Sequence, residues 1–149
     1  MELGEYQTTT RQVLDSCTFE AVKRLVLVLQ NLPSSVRSVA IEIFPWQSRE
    51  GGFSIRANLE GPDLHVLNRA IKPWAVLFDV RHTSRGLDPP VPMLDPFDES
   101  FDADHAIVDC AVEWIKAVWE EAKKSSPLIP VSIVGHGGAG TTTPFTLQR

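Results

Sequence analysis

Two runs in this chain place apolar residues at every second position, with a turn-forming stretch between them. In Ser38 to Phe44, the side chains of Val39, Ile41 and Ile43 share one side. In Phe53 to Glu60, Phe53, Ile55, Ala57 and Leu59 alternate with Ser54, Arg56, Asn58 and Glu60. Successive side chains of a strand point to opposite faces, so a period of two marks a half-buried strand. Ser48 to Gly52, ending in two glycines, supplies the turn. The result is a β-hairpin whose apolar face has to be covered by another layer. Setting Ile43 opposite Ile55 aligns the inward sets. It also places Glu42 opposite Arg56 on the solvent side, an exposed pair worth less than about 1 kcal/mol.

The covering layer is helical. From about Thr9 to Gln30, Leu14, Cys17, Ala21, Leu25, Val28 and Leu32 recur at three- and four-residue steps, until Pro33 stops the helix. A second long helix runs from about Asp102 to Lys124, with the stripe Ile107, Cys110, Ala111, Trp114 and Val118. Acids in its first turn and Lys123-Lys124 in its last suit the helix dipole. Between them, Gly61-Pro62-Asp63 opens a short helix with Leu64, Leu67 and Ile71 inward and Pro73 as its stop. Trp74 to Val80 reads either as a strand buried on both faces or as a helical continuation. Pro89, Pro90, Pro92 and Pro96 turn Gly86 to Pro96 into an extended arm without regular structure. Val131 to Val134 forms a final strand. The expectation is a single α+β domain covering 1–149, with a three- or four-stranded sheet packed against two long helices.

At 149 residues, 43% hydrophobic and 22% charged, the chain buries a sizeable core without staples. Cys17 and Cys110 each fall in an expected helix, without metal-ligand spacing, and read as reduced, buried thiols. The acidic start of the chain has no apolar signal core, and the longest apolar run is Leu25 to Leu29. A cytoplasmic protein is the expectation.

Net charge is −5, and one segment carries it. Between Gly86 and Ile115 there is no Lys or Arg, while eight of the nineteen acidic residues stand there. The remaining eleven acids face fourteen bases, so the rest of the chain is +3. Such a segment disfavours nucleic acid and anionic membrane as partners and favours a basic protein. Asp95, Asp98, Glu99, Asp102 and Asp104 are its candidate contacts. Trp119, beside the Trp114 stripe and partly exposed, is a candidate anchor.

The glycine-rich stretch Gly135-His-Gly-Gly-Ala-Gly140 has P-loop spacing, but Thr141 occupies the lysine position and Pro144 blocks the helix that must follow. It reads either as a wide turn returning Thr143 to Leu147 antiparallel to Val131 to Val134, or as an anion-binding nest formed by Gly137, Gly138 and neighbouring amides with His136. Arg81, His82 and Arg85 follow the third strand and have the chemistry to clamp a phosphate or carboxylate. Joined with His136, Gly137 and Gly138, they form an alternative ligand site. Asp102, Asp104 and Glu113 copy three EF-hand positions, but Ile107 replaces the essential glycine. His105 and Asp109, one helical turn apart, are two ligands and not a metal site. No activating motif surrounds any Ser, Cys or Thr, so no catalytic residue, metal or cofactor is assigned.

Leu59 to Ile71, Leu77-Phe-Asp-Val80, Pro89-Pro-Val-Pro92 and the glycine loop followed by Thr-Thr-Pro144 resemble a small bacterial domain family of unknown function. Size, single-domain build and acidity resemble immunity proteins that neutralise toxins, a likeness of class and not of site. The leading expectation is a non-enzymatic protein that occludes a basic toxin or effector with its acidic segment. The alternatives are a small-molecule binding or enzymatic domain at the Arg81 and His136 loops, and a structural subunit.

Overall fold

The computed structural model describes residues 1–98 and 100–148. The hairpin forms as β1, Ser38–Pro45, and β2, Phe53–Glu60, with Ile43 opposite Ile55 and Glu42 opposite Arg56. The strand register follows from the alternation alone. One set, Val39, Ile41 and Ile43 with Phe53, Ile55, Ala57 and Leu59, is buried. In the other set Glu42, Ser54, Arg56 and Asn58 are half-buried or exposed, and only the small Ala40 is buried.

The sheet exceeds the three or four strands expected. Five strands run in the order β3-β2-β1-β6-β7, where β3 is Val76–Asp79, β6 Val131–Gly135 and β7 Phe145–Leu147. β6 is parallel to β1, and the other neighbours are antiparallel. Of the run Trp74 to Val80, Val76–Asp79 forms the strand, while Trp74 still belongs to the turn that ends the short helix, its N–H donating to Ile71 O at 2.9 Å. The Ala57 N–H donates to Ala75 O at 2.8 Å and the Val80 N–H to Phe53 O at 3.1 Å, extending the ladder beyond β3 at both ends. Where β3 stops pairing, Asn68 takes over. Its side-chain amide accepts from the Leu59 N–H at 2.8 Å and donates to the Leu59 carbonyl at 3.1 Å, as a neighbouring strand would. Asn68 belongs to α3, Leu64–Arg69, capped by Asp63 in the left-handed region (φ 55). Leu67 and Ile71 are buried as expected, but Leu64 is exposed, because Asn68 rather than an apolar residue holds this six-residue helix to the sheet edge.

The first long helix is two helices, α1 Leu3–Ser16 and α2 Thr18–Gln30. At the break, the Ser16 hydroxyl donates to Val13 O at 2.6 Å and Cys17 adopts φ −102, ψ 4. A serine bonding back to its own turn competes with the helical ladder. Cys17 therefore lies between helices and not inside one. The apolar stripe survives the break: Leu14, Ala21, Leu25 and Val28 are all buried. α1 also starts earlier than the stripe suggested, because Tyr6 and Thr10 are buried too.

α4, Ala103–Ala122, buries Ile107, Ala111, Trp114 and Val118 as expected, while Lys123 and Lys124 fall in the 3-10 turn that follows. α1 packs on α4, α2 on α4 and β3, and α4 on β1 and β6, so helices cover one face of the sheet. Burial pushes the Cys110 thiol up to about 11, which keeps it protonated and unreactive.

The arm holds more order than expected. β4, Arg81–Thr83, pairs with β5, Gly86–Asp88, because those residues still have their N–H groups; the prolines begin only at Pro89. Beyond them the arm lies against the β1–β2 turn, where the Leu94 N–H donates to Glu50 O at 2.7 Å. Gly51 makes this approach feasible, since at φ +104 any Cβ would sit 2.5 Å from Pro92 O.

Candidate functional site

The acidic segment begins where the arm leaves the hairpin turn. Its carboxylates first serve their own backbone. Asp95 Oδ1 accepts from the Phe97 N–H at 2.9 Å, and Asp98 Oδ1 from the Ser100 N–H at 2.9 Å and from the Ser100 hydroxyl. Asp102 Oδ1 caps α4 by accepting from the His105 N–H at 3.0 Å. The Ser100 hydroxyl, and then the Ser100 N–H, hold the Asp98 carboxyl below the usual carboxylate range, so it is fully ionised at neutral pH. These turns curl the segment around a cleft of about 460 Å³, whose walls include Arg49, Leu94, Asp95, Asp98, Phe101 and Asp102.

Beside the cleft stand apolar side chains that the core does not use. Phe97 is 91% exposed and Met93 50%. Among the described residues, Asp95 and Asp98 have no salt-bridge partner, and Asp102 has only the His105 imidazole at 3.9 Å. Asp104 is half-buried, with Oδ1 enclosed and without a hydrogen-bond partner among the described residues. Glu99 lies outside the described residues. The structure thus brings Asp95, Asp98 and Asp102 to one cleft, with Asp104 on the first turn of α4 beside it.

Trp119 does not belong to this surface. It is 2% exposed, and its indole N–H donates to Gln148 O at 2.7 Å, because β7 folds back over α4 and covers it. The exposed anchor expected from its position is corrected. The exposed aromatic of the region is Phe97, which a sequence reading could have flagged as a lone aromatic among acids and prolines.

The residues of the alternative site lie on two separate loops. Arg81, His82 and Arg85 lie exposed on the β4–β5 hairpin, with Arg81 Nε 3.3 Å from Asp79 Oδ2. That hairpin follows edge strand β3, whereas His136 follows β6, with β2 and β1 between them in the sheet. The glycine stretch is a turn between β6 and β7, so the strand-return reading holds. Two of its amides are already used inside the protein. The Gly140 N–H donates to His105 Nδ1 at 2.8 Å, and the Thr141 N–H to Asp109 Oδ1 at 2.7 Å. Thr141 Oγ1 adds a bond to Asp109 Oδ2 at 2.8 Å. His105 and Asp109 are thus tethers for the loop. Gly137 and Gly138 remain exposed, in the left-handed region at φ 68 and 81.

One cluster carried no local signal in the sequence. Glu42, expected opposite Arg56 and standing there, pairs with no lysine or arginine among the described residues. Its Oε1 accepts from Asn58 Nδ2 at 3.0 Å, and its Oε2 lies 2.9 Å from His136 Nδ1. The His136 ring also packs on Phe44, with centroids 4.9 Å apart. Among the described residues no three His, Cys, Asp or Glu side chains stand together as metal ligands, and no helix is long and apolar enough to cross a membrane.

No curated protein and no solved structure matches this chain. A protein-family model matches residues 1–149, and on it the chain belongs to a family of unknown function, DUF6389.

Proposed function

We propose that this chain is a non-enzymatic binding protein that occludes a basic surface of a protein partner, as immunity proteins occlude toxins, with the segment from Asp95 to Asp104 as the contact. The observation that carries the reading is the cleft. Three carboxylates, Asp95, Asp98 and Asp102, line a concavity together with the apolar Leu94 and Phe101, and Phe97 stands exposed beside it. Unpaired carboxylates steer a basic partner, while an exposed aromatic gives up little conformational entropy when it is buried on docking. The thiols of Cys17 and Cys110 are free, which suits work in the reducing cytoplasm.

The test replaces Asp95, Asp98 and Asp102 together with Asn. Asparagine keeps the acceptor oxygen that each turn and the α4 cap use, and removes the charge. Association with the product of the adjacent gene is expected to slow at least about tenfold at low salt, with an unchanged melting temperature. Equal association rates for the two proteins across a salt series would remove this reading.

A further inference from the structure

We infer that the glycine-rich stretch 136–140, in the loop between β6 and β7, is a pH-poised element, held at its two ends by histidines whose bonds respond oppositely to protonation. The argument rests on which atoms donate. At the Gly140 end, the donor is a backbone N–H, so His105 Nδ1 has to accept, at 2.8 Å. Only the neutral imidazole with its proton on Nε2 offers that lone pair. A protonated His105 presents a second N–H to the Gly140 N–H, and the bond becomes a repulsion. At the other end, His136 Nδ1 faces Glu42 Oε2 at 2.9 Å. There the imidazole donates in either charge state, and protonation adds an ion pair.

The surroundings of both rings point the same way. His105 is faced on its own helix by Asp102, with Oδ2 3.9 Å from Nε2, and by Asp104 and Asp109 within a turn; the loop itself brings only amides and threonine hydroxyls. His136 is faced from β1 by Glu42 and Phe44; behind Glu42 on β2 stand Asn58 and, opposite in register, Arg56.

Release is confined to one residue. Thr141 is held by both carboxylate oxygens of Asp109 and by no imidazole, and it is the imidazole class of side chain that changes charge near about pH 6.5. Gly140 itself packs on Val108 so closely that a Cβ would lie 2.5 Å from Val108 Cγ1. Acid therefore frees the Gly140 N–H while His136 and Thr141 keep their tethers.

Two adjacent amides with different acceptors make the test internal to the loop. Hydrogen-exchange protection of Gly140 and Thr141, corrected for intrinsic exchange, is measured by NMR on the full chain between about pH 8 and about pH 5. The Gly140 protection factor is expected to fall at least about tenfold on acidification, and that of Thr141 less than about threefold. In His105→Asn the side-chain oxygen takes the place of Nδ1 and does not titrate, so Gly140 protection should stay level. A level Gly140 in the unsubstituted protein overturns the inference. So does a Thr141 that falls in step with it, or a Gly140 that falls equally in His105→Asn.

Discussion

Asp98 and Asp109 belong to the same run of acid without a lysine or arginine, yet they do different work. Asp98 bonds to Ser100, two residues away, on a segment fully open to water. Asp109 reaches Thr141, 32 residues away, with both oxygens. The bonds from Asp95 to Asp102 shape a local curl and leave the charges facing outward. Those from His105 and Asp109 fasten a glycine loop to α4 and, through it, β7 over Trp119. Proximity in sequence set the charge of both regions. Only the fold decided that one is a surface and the other a joint.

The contrast is broken most severely from inside the joint's own helix. Trp114 is 1% exposed, and its indole N–H donates to Thr18 Oγ1 at 3.0 Å. Trp114→Ala empties a core position between α4 and α2 and is expected to cost roughly 3–5 kcal/mol in a urea melt. A loss under about 1 kcal/mol would mean that α4 is not the spine of the core. Asp109→Ala removes one acceptor from the Thr141 N–H and one from its hydroxyl. A cost of about 1–3 kcal/mol is expected, and less for Asp109→Asn, which keeps one acceptor. An Asp109→Ala protein as stable as the parent would erase the distinction between joint and surface.

The sequence showed what is periodic. The hairpin register, including Glu42 opposite Arg56, and the α4 stripe follow from side-chain spacing, and both stand. Tertiary bonds between distant residues have no period. Nothing local joins His105 to Gly140, Asp109 to Thr141, or His136 to Glu42, which are 35, 32 and 94 residues apart. The burial of Trp119 is hidden from spacing for the same reason, since its cover comes from the chain around β7. The break at Cys17 was missed because the apolar stripe runs through it undisturbed. Of the candidate surface, the charge was legible and the cleft was not, because the cleft depends on the arm lying against the turn at Gly51.

Asp98→Asn is expected to be the gentlest change, and it probes the surface side of the comparison. Asparagine retains an oxygen for the Ser100 N–H and hydroxyl, and the side chain lies in full contact with water. At neutral pH the urea midpoint should stay within the error of the measurement. The pH dependence has a definite sign. A carboxyl whose folded pKa is depressed contributes its small stabilisation above the unfolded value, about 3.9, and loses it as pH falls through the folded one. Parent and variant should therefore converge completely once the pH is below that range, and any gap between them should open only above it. A midpoint shift at pH 7 as large as that of Asp109→Ala would make Asp98 a structural brace. The outward-facing charge of the cleft would then be a by-product of folding, and the binding proposal would lose its main support.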